Sequence, residues 1–148
     1  MPQIELLTVA NHAEAINGLL YLSGAGWTDL VRPVQPGGPA PVNHIGIGIA
    51  ILLSWNETNQ RHRVGLRIEN ADGQRLVDVQ GDIEMGRPAG LAPGSDLRGV
   101  MAVTAEVQFP AEGIYRVVAS AAEDTRSVTF RVHDAAIPAM PRPPQIRP

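Results

Sequence analysis

The sequence predicts an all-β fold, a two-sheet antiparallel sandwich of about eight strands over residues 1–134, followed by a proline-rich tail over residues 135–148. Three observations lead there. Apolar residues recur with a period of two along almost the whole chain, the pattern of strands with one buried face. Turn-forming residues separate these runs at regular spacing, as in sandwiches. No segment carries the 3.6-residue apolar stripe of an amphipathic helix. At 148 residues the chain can bury one core without covalent staples.

The first strand is expected over residues 4–10 (IELLTVA) and the second over 19–27 (LLYLSGAGW), joined by NHAEAING. Gly24 and Gly26 suggest a bulge near the end of the second. Residues 44–55, HIGIGIAILLSW, alternate most clearly. Ile45, Ile47, Ile49, Ile51, Leu53 and Trp55 make one face, which must be core. The other face is nearly bare backbone at Gly46, Gly48 and Ala50, which suits close approach of something flat. A twisted or bulged central strand is the plainer reading of the same glycines.

Residues 61–85 read as a hairpin turning at Asp72-Gly73, a pair suited to a type I′ turn. A two-residue turn sets Arg67 opposite Asp78, Arg63 opposite Asp82 and Arg61 opposite Glu84. On the other face it sets Ile68 against Val77 and Leu66 against Val79. A slip of one residue would place charges on the core face, so turn, apolar face and charge pairing select one register. Each exposed pair contributes only about 0.2–1 kcal/mol, so the ladder specifies register more than it stabilises. With three acids opposite, the three arginines form a neutralised, solvated face rather than an anion site. Further strands are expected over 99–109, 114–122 and 126–133, the last two as a closing hairpin.

Three stretches are not element-like. Residues 32–43, RPVQPGGPAPVN, hold four prolines and two glycines and are expected to form a mobile surface loop. Residues 86–96, GRPAGLAPGSD, form a second loop. The tail AAIPAMPRPPQIRP has five prolines and no acid, so it cannot pair inside a sheet and favours polyproline II. It is either a disordered end or a docking arm with Ile137, Met140 and Ile146 as apolar anchors.

Composition removes whole classes of chemistry. The chain has no cysteine, which excludes disulfides, thiolate metal sites and cysteine nucleophiles. All 12 basic residues are arginine, so Schiff-base and amine-base chemistry is absent. A net charge of −3 carries no nucleic-acid footprint. The start MPQIE has no charged segment leading into an apolar run, and residues 45–53 are too short to span a bilayer. A soluble cytoplasmic protein is expected, with neither nucleic acid nor membrane as partner. No phosphate cradle exists, because G-I-G-I within a strand cannot form one, and no cofactor is expected. Ser95 lacks the strand–elbow–helix setting of a hydrolase nucleophile.

His12-Ala13-Glu14 has the spacing of a zinc-deaminase ligand and its proton shuttle, yet the P-C-x-x-C that completes such a site is missing. His12 and Glu14 remain metal-ligand candidates only if another histidine joins them; polar residues at a strand end are the simpler reading. His44 and His133 should lie near strand ends. His62 falls on inward parity and is expected to be a hydrogen-bonded structural residue.

Residues 112–134, with Gly113 and Tyr115 as G-x-Y, are similar to the closing hairpin of many bacterial immunoglobulin-like domains. That implies a corner-type hydrogen bond from Tyr115. A longer ordered set begins with Ala10-Asn11-His12-Ala13-Glu14, Gly18-Leu19-Leu20-Tyr21 and Gly26-Trp27. Trp55-Asn56-Glu57-Thr58-Asn59, Asp72-Gly73, Gly86-Arg87-Pro88 and Pro93-Gly94-Ser95 follow. To about residue 133 the chain thereby resembles an uncharacterised family of small bacterial proteins. The resemblance implies an immunoglobulin-like sandwich of unknown function and carries over no catalytic residue. It also implies that Glu14 belongs to a turn and bonds nearby backbone N–H groups, so that H-A-E is incidental.

Three functions remain, in this order. The first is a non-enzymatic β-sandwich module that binds protein, either another copy or a different partner, through a sheet edge, the Gly46–Gly48–Ala50 face or the tail. The second is a small-molecule or carbohydrate-binding module using loops 32–43 and 86–96 with Trp27 or Trp55. The third is a metal-dependent hydrolase built on His12, Glu14 and another histidine.

Overall fold

The computed structural model describes residues 1–136, so the expected anchors Ile137, Met140 and Ile146 lie outside the described residues. The strands are β1 (Gln3–Ile16), β2 (Leu19–Ala25), β3 (Asp29–Val34), β4 (Val42–Leu53), β5 (Arg61–Asn70), β6 (Arg75–Glu84), β7 (Leu97–Gln108), β8 (Gly113–Ala121) and β9 (Asp124–Ala136). They form a sheet in the order β2-β1-β4-β7 and a second in the order β3-β9-β8-β5-β6. Between them lie the inward residues that the period-two pattern selects, among them Ile45, Ile47, Leu53, Ile68, Val117 and Phe130. The all-β, two-sheet architecture is as expected. No helix among the described residues is long and apolar enough to cross a membrane.

One strand was not expected. β3 lies within and just before the stretch assigned to a mobile loop, and it pairs with β9 in parallel, an exception to the antiparallel pattern. Pro33 is tolerated because β3 is a sheet edge, bonded on one side only. A charge pair with a buried arginine helps to tie it down. Arg32 donates from Nε and Nη2 to the two carboxylate oxygens of Asp134 at 2.6 and 2.8 Å, and from Nη1 to the Phe109 carbonyl at 2.6 Å. Ala135 and Ala136, read as the start of the tail, instead pair with Pro33 and Val34.

The 61–85 hairpin adopts the expected register, with Arg67 opposite Asp78, Arg63 opposite Asp82 and Arg61 opposite Glu84. Its turn differs. Only Gly73 takes a left-handed φ, 82°, and the Asn70 side chain accepts from the amides of Asp72 and Gln74 at 3.0 and 2.9 Å. The loop is therefore Ala71-Asp72-Gly73, and a register shift between Ile68 and Glu69 restores the expected pairing beyond it. Arg63–Asp82 forms at 3.0 Å and Arg61–Glu84 at 3.8 Å, but Arg67 does not reach Asp78. It turns to Glu69 at 2.8 Å, while Asp78 takes Arg75. Glu69 is 3 % exposed and needs charge compensation, which Arg67 and Arg116 supply together.

These pairs couple stability to pH. The Arg67 guanidinium holds the Glu69 carboxyl below its ordinary range against the opposing effect of burial, with Arg116 adding to it. Arg32 lowers Asp134 in the same way, and the bond from His133 lowers Asp29. A depressed folded pKa stabilises the fold fully above the unfolded carboxylate values of about 4, and that stability is lost as pH falls through the folded values. Urea midpoints are therefore expected to be flat from neutral pH down to about 5 and to fall steeply below about 4. Glu69→Gln should flatten that acid limb; an unchanged limb would contradict the assignment.

Candidate functional site

β1 runs six residues past the expected end at Ala10, straight through His12-Ala13-Glu14 to Ile16. The turn to β2 is Asn17-Gly18, both left-handed at φ 50° and 75°, which is the type I′ hairpin pair. Glu14 is thus a strand residue. It pairs with His12 at 3.0 Å rather than bonding turn amides. The bulge expected at Gly24 and Gly26 appears as left-handed backbone (φ 62° and 84°), without a shift in the β1–β2 register.

From Ala10 onward this hairpin leaves the edge of β4 and folds across the outer face of its sheet, reaching β7. Its underside carries Ala13, Leu20 and Leu22. A Cβ on Gly46 would stand 2.7 Å from the Ala13 nitrogen, and one on Gly48 2.7 Å from Leu22 Cδ2. The small-residue face Gly46, Gly48 and Ala50 therefore does receive something flat, namely the chain's own hairpin. It is buried and offers no surface to a partner in this structure. The hairpin's upper side exposes Ile16, Leu19 and Tyr21.

The histidines are paired locally. His44 bonds Glu106 at 2.6 Å, His133 bonds Asp29 at 2.6 Å, and His62 Nε2 lies 2.7 Å from the Glu57 carbonyl. His62 is thus the structural residue expected. The hairpin brings His12 and His44 face to face, with centroids 6.2 Å apart and planes 11° apart. Stacked rings do not aim their nitrogen lone pairs at one centre. Among the described residues no three His, Asp or Glu side chains are placed to hold a metal ion.

The two loops assigned to one binding site sit toward opposite ends of the sandwich. Trp27 packs edge-on against Phe130 at 5.4 Å, and Phe130 pairs through Tyr115 with Asn70 at one end of β5. Loop 32–43 leads into β4 at that same end. Trp55 lies past the end of β4, in a 3-10 turn (Trp55–Glu57) that His62 ties to the other end of β5. The guanidinium of Arg87, from loop 86–96, stacks 3.8 Å from the Trp55 ring centre and bonds Thr58 Oγ1 at 2.7 Å and the Trp55 carbonyl at 2.8 Å. Loop and tryptophan are occupied with each other. Tyr115 makes the expected corner bond, donating to the Ala111 carbonyl at 2.7 Å.

What remains open, among the described residues, is the set of strand edges. β2 is interrupted by the left-handed backbone of Gly24, and β3 is six residues with a proline inside. β6 carries Arg75, Asp78, Asp82 and Glu84, and such charges discourage pairing. β7 is different: twelve residues, no proline, and the uncharged run Gly99–Ala105 at its centre. Between β6 and β7 the sandwich gapes. One cleft of about 190 Å³ is floored by Ile49, Val64, Leu66 and Met101, and Val79, on inward parity, is 57 % exposed beside it. A second, of about 510 Å³, continues along β7 from Arg98 to Met101, between Asp82–Met85 and the hairpin tip at Gly18. No local pattern in β7 announces this edge, because strand order is a property of the whole topology.

Fold and site together define a two-sheet β-sandwich whose longest edge strand, among the described residues, is β7. The chain belongs to a family of unknown function, DUF6941, whose sequence model matches residues 5–133. No curated protein matches it. Two motifs of the resemblance meet at the Trp55–Arg87 clamp, where they brace the fold.

Proposed function

We propose that the chain is a non-enzymatic protein-binding module that takes an extended segment of a partner onto the edge of β7. The observation that carries this reading is that β7 is, among the described residues, the longest edge strand, with neither a proline nor left-handed backbone and no charge across Gly99–Ala105. An added strand would bond to the outward amides and carbonyls of β7 and turn its inward side chains into the cleft beside Met101 and Val103. A cytoplasmic setting accords with a small domain that has no cysteine.

Selection from displayed ten-residue segments tests the reading. Segments with alternating apolar residues are expected to be enriched on the wild-type chain. They should be lost on Ala102→Pro, and equally on the exposed Thr104→Lys if the proline variant fails to fold. Substitution of Gln80 by lysine in β6 should leave binding intact. Enrichment that ignores β7 and follows β6 would overturn the assignment.

A further inference from the structure

We infer that the segment taken by β7 is β7 of a second copy of this chain, antiparallel and related by a two-fold axis through Ala102. The inference rests on the strand-addition reading and names its partner. It comes from the placement of the two charges inside the strand. Arg98 stands four residues before Ala102 and Glu106 four residues after it. Antiparallel pairing about Ala102 therefore sets Arg98 of each copy opposite Glu106 of the other, two ion pairs from one symmetry operation. Between them Val100 faces Thr104 and Ala102 faces itself, while on the inward side Met101 faces Val103 and Gly99 faces Ala105.

The neighbouring registers that keep inward side chains inward lack this match. Centred on Met101, the pairing sets Glu106 against Asp96; centred on Val103, it sets Arg98 against Gln108 and Glu106 against Val100. β6 provides the contrast. Paired with itself about Gln80, it would set Asp78 against Asp82, acid on acid, which disfavours addition. Inside one chain Arg98 gives its Nε and Nη2 donors to Glu5, and Glu106 accepts from His44. Both side chains are more than half exposed, and a guanidinium has five donors and a carboxylate about four acceptor sites, so each can take a further partner. Joining two β7 edges would merge the four-stranded sheets into one of eight strands. One strand pair makes a small interface, so assembly should depend on concentration.

The chain contains no cysteine, which makes the register directly testable. Light scattering behind a sizing column should show full-length chain moving from 15.8 kDa toward twice that mass as concentration rises. Under mild oxidation Ala102→Cys should form a disulfide-linked dimer, whereas Thr104→Cys, which faces Val100, should not. Arg98→Glu should weaken the dimer at least tenfold, and adding Glu106→Arg should restore it. In that double variant the contacts to Glu5 and His44 stay mismatched, so recovery can come only from the charges across the axis. A chain that stays monomeric yet binds displayed segments through β7 overturns the second-copy inference and leaves strand addition standing. A dimer that cross-links elsewhere and ignores both charge variants overturns the inference, and strand addition with it if the displayed segments also ignore β7. A monomer that binds no segment overturns both.

Discussion

Phe130→Ala is expected to cost about 3–5 kcal/mol of folding stability. Phe130 is 1 % exposed and sits where four aromatic rings meet. Trp27 and Phe109 approach it edge-on at 5.4 and 5.7 Å, and Tyr115 stacks on it at 6.1 Å. Truncation removes the transfer free energy of the ring and leaves a cavity that rigid neighbours cannot fill, and three favourable ring contacts go with it. Two of those residues also hold another part of the fold. Tyr115 anchors the corner before β8 through Ala111, and Phe109 supplies the carbonyl that Arg32 bonds. Against a total stability of about 5–15 kcal/mol for a domain of this kind, the loss is a large fraction. Urea unfolding should show a much lower midpoint at unchanged slope, with a shift in the emission of Trp27. Phe130→Leu, which keeps more of the volume, should cost clearly less. A midpoint change under about 1 kcal/mol for the alanine would mean that the cluster relaxes around the gap.

Gly46→Val is expected to destabilise by about 1–3 kcal/mol or more, with the hairpin displaced. The sign is the informative part. Valine suits a central strand better than glycine, so propensity and the extra apolar surface both favour the substitution. What opposes it is the Ala13 nitrogen and His12 carbonyl carbon, each 2.7 Å from where the first added carbon would stand. These are backbone atoms, which cannot rotate away as a side chain could. The hairpin must lift, exposing Ala13 and Ala50. Faster amide exchange along β2, and earlier proteolysis between Ile16 and Tyr21, would mark that release. A neutral or stabilising result would show that the hairpin is not seated on β4.

The hairpin shows where sequence reasoning succeeded and where it stopped. The bare face of β4 was legible as a place of close approach, because alternate small residues within an apolar strand need a reason. Its occupant was not legible, since the covering residues Ala13, Leu20 and Leu22 are ordinary strand residues that meet β4 only after β1 bends across it. Asn17-Gly18 was a legible hairpin signal that the H-A-E pattern beside it obscured. β3 was hidden for the opposite reason. Its proline and flanking loop composition argue for coil, and what holds it on β9 comes from far along the chain: the parallel ladder, Arg32 on Asp134 and Asp29 on His133.

Local pattern by itself determined the all-β class, the faces of β4, β5 and β7 and the register of the β5–β6 pair. These depend on side-chain period and turn geometry, which act over a few residues. Tertiary structure alone decided that loops 32–43 and 86–96 lie apart, that Arg67 serves Glu69 instead of Asp78, and that β7 is an open edge. Each of those depends on which strands become neighbours, a choice made by the free energy of the whole packed core rather than by any segment within it.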